Sequence, residues 1–74
     1  MFWICLRRAA HVRQYSVSAQ RGDGWELKVE EDSALTRYVR YHDWHRVERT
    51  LALLRHEVTD LVTQGWTIQS STTT

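Results

Sequence analysis

The clearest pattern in the sequence is a strict alternation of apolar and charged residues directly after Gly24. It runs through Trp25, Glu26, Leu27, Lys28, Val29 and Glu30. A period of two, with one apolar and one wet side, is typical of a strand whose sheet covers a core with one face. Residues 12–19 alternate in the same way, with Tyr15 and Val17 on the apolar side. The pattern predicts two strands joined by residues 20–24.

The length of that connection is constrained by parity. Odd-numbered residues are apolar in both strands, so they share one side of the sheet only across a loop with an odd number of residues. We therefore expect a loop of three or five residues with a glycine at positive φ. The favoured register pairs Val17 with Leu27 and Tyr15 with Val29.

The third predicted strand, residues 34–41, contains one exception to its alternation. Leu35, Val39 and Tyr41 share a parity, and Arg37 takes a position on the same side. An arginine there suits an edge strand, because its stem can pass its neighbours while its charge reaches water and protects the edge. The alternative interpretation is a cation that lines a cleft and faces an anionic ligand.

A long amphipathic helix follows. Its apolar residues recur at spacings of three and four, which form one stripe on an α-helix. The stripe consists of Trp44, Val47, Leu51, Leu54, Val58 and Leu61. Asp43 suits the N-cap, where a carboxylate accepts hydrogen bonds from free amide groups. Gly65 suits the left-handed position after a helix, so the helix should end at about Gln64.

The predicted order is strand, strand, strand, helix and strand, with residues 66–69 as the last strand. The helix stripe should cover one face of the antiparallel sheet, which defines a small α+β two-layer sandwich. We expect residues 11–69 to form this single domain. Residues 1–10 are expected to be a disordered N-terminal extension. Residues 70–74 are expected to be a disordered tail, because this segment is polar and nothing anchors it.

The N-terminal segment also bears on location. Residues 1–21 contain four arginines and no acidic residue, as mitochondrial presequences do, and residues 13–16 read Arg-x-Tyr-Ser, like a cleavage site. We expect a cytoplasmic protein, with the mitochondrial matrix as the alternative if residues 1–16 are a presequence. Against that alternative, Tyr15 and Val17 continue a strand pattern that the domain needs.

Composition narrows the classes of function. The 74 residues carry a formal net charge of +1, and no apolar run approaches the ~18–20 residues that span a bilayer, so we expect no membrane partner. The single cysteine, Cys5, excludes an intramolecular disulfide and a Cys-rich zinc module. His42 and His45 have a metal-ligand spacing, but zinc needs three or four protein ligands. We expect no metal and no cofactor.

Catalytic motifs are missing from the sequence. It contains no Gly-x-Ser-x-Gly nucleophile elbow. The turn Gly22-Asp23-Gly24 places an acid where a phosphate would be repelled. We therefore expect that the protein is not an enzyme and has no catalytic residue.

Self-association is the leading hypothesis. A domain of about 60 residues buries only roughly 60% of the surface of its unfolded chain, and no disulfide or metal compensates for this here. Four tryptophans, three tyrosines and one phenylalanine exceed what one thin sheet-helix layer can hide. We expect a small non-enzymatic interaction module that forms a homodimer through its sheet edge or an aromatic face, or that binds another protein.

The alternative is a nucleic-acid-binding domain, since arginines alternate with aromatic residues between positions 37 and 56. The candidate residues are Arg37, Arg40, Arg46, Arg49 and Tyr38. Arginines hold phosphates and aromatic rings stack on bases. The sequence pI of about 8.0 is lower than is typical of such binders. A third hypothesis is a small-ligand pocket near Trp25, Trp44 and Trp66.

Overall fold

The computed structural model of the protein describes residues 2–73, which form one antiparallel sheet and one helix. The elements in chain order are β1 Phe2–Arg8, β2 His11–Ala19, β3 Trp25–Glu31, β4 Ala34–Tyr41, α1 Trp44–Thr63 and β5 Thr67–Thr73. The strands lie in the order β4-β3-β2-β1-β5, so β4 and β5 are the two edges of the sheet. The predicted α+β class, an antiparallel sheet with one amphipathic helix, is confirmed, with one more strand than expected.

The hairpin of β2 and β3 has the predicted geometry. Its loop is five residues long, and Val17 pairs with Leu27 and Tyr15 with Val29. Gly24 adopts a positive φ of 81° and packs so closely that a Cβ would collide with the carbonyl oxygen of Tyr41. The close approach of two backbones therefore explains this glycine as much as its φ does.

The expectation that residues 1–10 are a disordered extension is wrong. β1 is an inner strand, paired with β2 on one side and β5 on the other. Phe2, Ile4 and Leu6 alternate towards the helix and are buried, Leu6 completely. Burying three large apolar side chains contributes several kcal/mol, at about 1.5–3 kcal/mol each. Cys5, on the other face of the strand, is also buried.

The expected disordered tail at residues 70–74 is also wrong over the described part. β5 pairs with β1 along its length, and a register shift between Cys5 and Leu6 leaves Gln69 as an extra residue on β5. Because Cys5 pairs with Ser70 and Leu6 with Ile68, backbone hydrogen bonds order a segment with few apolar side chains. Met1 and Thr74 lie outside the described residues.

The helix begins and ends as predicted. The Asp43 carboxylate accepts a hydrogen bond of 2.9 Å from the backbone N–H of His45. At the other end the Trp66 N–H donates to the Leu61 carbonyl at 2.9 Å, with Gly65 at a φ of 103°. This is a Schellman motif, and it turns the chain directly into β5.

The core lies between α1 and one face of the sheet. Its strand residues are Phe2, Ile4, Leu6, Tyr15, Val17, Leu27 and Val29, and its helix residues are Val47, Leu54, Val58 and Leu61, with Trp66 beside them. Trp25, Val39, Tyr41 and Leu51 pack against this cluster but are only partly buried. We call the side of the sheet away from α1 the open face.

Candidate interaction surface

A groove of about 320 Å³ separates β4 from α1. Its floor is apolar and includes Val39 and Leu54, while Leu53 lies on its helix side. The Thr50 hydroxyl donates a hydrogen bond of 3.0 Å to the Tyr41 hydroxyl across the groove. Leu53 is 67% exposed, the highest value among the exposed large hydrophobic residues described. The groove therefore leaves apolar surface in water beside an edge strand.

Arg37 has a partner inside the chain. Its side chain lies on the helix side of β4, as parity required, and its Nη2 is 3.2 Å from Oε1 of Glu57 on α1. Both side chains are more than a third exposed. The Arg37 stem therefore passes along an edge strand to a half-exposed guanidinium, as the first interpretation predicted, and the partner of that guanidinium is a helix carboxylate.

Glu57 also acts on the buried phenol of Tyr15. Burial raises the pKa of the Tyr15 phenol, and the Glu57 carboxylate raises it further. Nη1 of Arg13 lies 3.5 Å from the Tyr15 hydroxyl, and Nη2 of Arg13 lies 3.3 Å from the Glu31 carboxylate. Two ion pairs, Arg13 with Glu31 and Arg37 with Glu57, therefore lie near the Tyr15 hydroxyl between the sheet and the helix.

The free edge of β4 is divided by a bulge. Val29 pairs with Arg37 and Glu30 with Leu35, so Thr36 is an extra residue on β4. The Thr36 hydroxyl donates to the Val29 carbonyl at 3.2 Å, which ties the bulge to β3. Residues 37–41, after the bulge, form a regular edge segment of five residues with no strand on its outer side.

Tyr38 and Arg40 of this segment lie on the open face. The Tyr38 hydroxyl donates to the Glu26 carboxylate, and that carboxylate also lies 3.2 Å from Lys28 Nζ. The Tyr38 hydrogen bond, followed by the contact with Lys28, lowers the pKa of the Glu26 carboxyl. Arg40 donates to the Asp23 carbonyl at 3.4 Å. The Tyr38 side chain is nonetheless 47% exposed.

The structure does not bring the five candidate nucleic-acid residues together. Arg37 lies on the helix side of β4, Tyr38 and Arg40 lie on the open face, and Arg46 and Arg49 are exposed on α1. The sheet separates the second group from the other two. Within residues 2–73, Arg46 and Arg49 take part in no salt bridge, in contrast to Arg37.

The three tryptophans of the pocket hypothesis do not share a site. Trp25 packs on Trp44 with ring centroids 5.4 Å apart. Trp66 instead lies under the Arg13 guanidinium, 5.2 Å from its ring centroid. Trp25 pairs with Ala19 at the far end of β2, six residues from Arg13 or about 20 Å along a strand.

The two histidines with metal-ligand spacing have separate neighbours. His42 Nδ1 is 3.2 Å from Asp23, and His45 Nδ1 is 4.0 Å from Glu48. Over residues 2–73, no three His, Cys, Asp or Glu side chains lie close enough together to hold a metal ion. In the same range, α1 is not apolar enough to count as a membrane span.

Leu53 is the surface residue that the sequence pattern missed. It falls outside the stripe of three-and-four spacing, so the pattern gives it no place in the core. An apolar residue next to Leu54 and one turn before Glu57 is a signal for a second, narrower apolar flank.

No family model, curated protein or solved structure matches this chain.

Proposed function

We propose that the protein is a small non-enzymatic interaction module that self-associates through the free edge of β4. The observation that supports the proposal is the position of an unpaired edge strand directly beside an apolar groove, with Leu53 exposed on the groove's helix side. Edge strands recruit a further strand by backbone hydrogen bonds, and an adjacent apolar surface adds affinity. A second copy of the chain supplies both.

The charges on β4 favour this edge as an interface. Inward-pointing and edge charges normally prevent strand pairing. Here Arg37 is paired with Glu57, and Arg40 lies opposite Glu26 in the β3–β4 register, so each arginine has an acidic neighbour within its own chain. The other edge, β5, is made of threonine, serine and glutamine apart from Ile68. It therefore offers little apolar surface to a partner.

Sedimentation velocity over a hundredfold concentration range tests the proposal. Leu53→Gln should shift the parent dimer towards monomer, because it removes apolar surface beside β4 without adding charge. Val62→Gln is the matched control: Val62 is also exposed but lies nine positions away, or two and a half turns, on the opposite flank of α1. A parent chain that stays at 8.8 kDa throughout, or two variants that dissociate equally, would contradict the proposal.

Nucleic-acid binding is a second candidate, supported by one observation. Arg46 and Arg49 are exposed on α1 and form no salt bridge within the described chain, so their charges are available for phosphates. His45 and His56 are exposed on the same helix. The candidate surface is then the outer side of α1 alone, and Tyr38 and Arg40 do not contribute to it.

A further inference from the structure

Two copies of β4 can pair only in a few registers. In a two-fold antiparallel pair, directly opposed residues must lie on the same side of the sheet, so the axis passes through one residue position. The candidate positions for the axis are four residues of the regular edge segment: Arg37, Tyr38, Val39 and Arg40. Each places a different set of side chains opposite one another.

Charge excludes two of the four axes. An axis through Arg37 sets two guanidinium groups directly opposite each other, and an axis through Arg40 does the same. Directly opposed side chains in an antiparallel pair have Cβ atoms about 4.5–5.5 Å apart, where like charges destabilise the pairing. The axis through Arg40 also leaves only residues 39–41 of the strand paired.

The bulge excludes the third axis. An axis through Tyr38 sets Leu35 opposite Tyr41 of the second copy. Because Thr36 is an extra residue, Leu35 pairs with Glu30 and lies on the open face, whereas Tyr41 packs towards the helix side. The two side chains would be on different sides of the sheet, and the backbone ladder would break at Thr36.

The axis through Val39 meets no such conflict. It pairs residues 37–41 of both copies, all after the bulge. Arg37 lies opposite Tyr41 and Tyr38 lies opposite Arg40, and both are pairs of a guanidinium with an aromatic ring that attract each other. Val39 meets its own copy on the helix side of the sheet, beside the groove.

We infer that the self-associated form pairs β4 with β4 about a two-fold axis through Val39. This inference rests on the proposed function. The two five-stranded sheets then become one continuous sheet with both helices on the same face. The grooves of the two copies meet at the axis, so Leu53 of each copy faces a shared cleft instead of water.

Disulfide trapping tests the register, in a Cys5→Ser background that leaves each variant a single thiol. A disulfide needs Cβ atoms about 3.5–4.5 Å apart. Val39→Cys, on the axis, should form covalent dimer about tenfold faster than Tyr38→Cys, whose two copies lie about 7–8 Å apart on the diagonal. Ser70→Cys on β5 reports pairing through the other edge.

A second experiment leaves Val39 intact. Equal amounts of Arg37→Cys and Tyr41→Cys chains are mixed and oxidised, and only the inferred register enriches the heterodimer over both homodimers. Faster trapping of Tyr38→Cys, or homodimers alone in the mixture, would overturn the register while a dimer in sedimentation still supported the proposed function. Trapping of Ser70→Cys alone, or a monomer in sedimentation, would overturn both.

Discussion

The Arg37 guanidinium of β4 lies 3.2 Å from the Glu57 carboxylate of α1, across the groove that separates the two elements. An exposed pair of this kind contributes at most about 1 kcal/mol to stability. Its position matters more than its energy, because Glu57 holds the charge of Arg37 on the helix side of an otherwise free edge. The pair therefore links the packing of the helix to the properties of the edge.

Glu57→Gln tests this link. The substitution should lower the free energy of unfolding by no more than about 1 kcal/mol. It should also weaken self-association at low salt, because each copy would gain one net positive charge beside the interface. Glu48→Gln, at a carboxylate 4.0 Å from His45, is the control. Equal dimer dissociation constants for the two variants would contradict the role of Glu57.

Leu6→Ala tests the placement of β1 in the fold. Leu6 is fully buried, so its truncation should reduce the free energy of unfolding by about 2–5 kcal/mol. Leu35→Ala, at a leucine that is 57% exposed, should change it by less than about 0.5 kcal/mol. The measurement is urea unfolding of both variants at one concentration. A parent-like Leu6→Ala curve would show that residues 2–8 are not part of the core.

The Asp32 carboxylate makes the stability of the fold depend on pH. Its carboxylate accepts from the Val12 backbone N–H at 2.9 Å and lies 2.9 Å from His11 Nδ1. The His11 contact, followed by the Val12 hydrogen bond, lowers the pKa of Asp32 below its ordinary value of 3.8. A carboxyl with a depressed folded pKa stabilises the protein above its unfolded pKa, and that stabilisation is lost as pH falls through the folded pKa.

Asp32→Asn should therefore lower the free energy of unfolding at neutral pH. The variant should also lose less stability than the parent as the pH falls below about 4. The urea midpoints of parent and variant at pH 7 and pH 3 measure the effect. Asp60→Asn is the control, because Asp60 is exposed on α1 and its carboxylate forms no salt bridge within residues 2–73. The prediction fails if the parent and Asp32→Asn lose the same stability between the two pH values.

Arg46→Ala combined with Arg49→Ala tests the second candidate function. If the outer side of α1 binds single strands, the double variant should bind a random oligonucleotide more weakly and with a smaller salt dependence. Circular dichroism checks that the fold is unchanged. Arg37→Ala combined with Arg40→Ala is the matched pair on β4 and should have less effect. Absence of binding by the parent at low salt would eliminate this function.

The elements that the sequence predicted are those with a periodic apolar pattern and local caps. β3 alternates strictly, and α1 has its stripe between Asp43 and Gly65. β1 was missed because its residues are apolar on both sides, so the run showed no period of two. On the open face Cys5 is buried and Trp3 is partly buried, so β1 carries apolar residues on both of its sides.

The candidate surface was only partly accessible to sequence reasoning. The edge position of Arg37 followed from parity, but its partner Glu57 lies 20 residues away, and only the orientation of α1 brings the two together. The bulge at Thr36 left no signal in composition, yet it decides which residues form a regular edge. The last strand was predicted at residues 66–69, but its continuation to Thr73 was not, because backbone pairing with β1, rather than apolar side chains, orders that part.

The most direct test of self-association through β4 is a thermal melt followed over a hundredfold range of protein concentration. If folding and association are coupled, the midpoint of the parent should rise with concentration, and that of Val62→Gln should rise in parallel. The midpoint of Leu53→Gln should rise less, and it should meet the parent midpoint at the lowest concentration, where both are monomers. A parent midpoint that is independent of concentration would contradict the account.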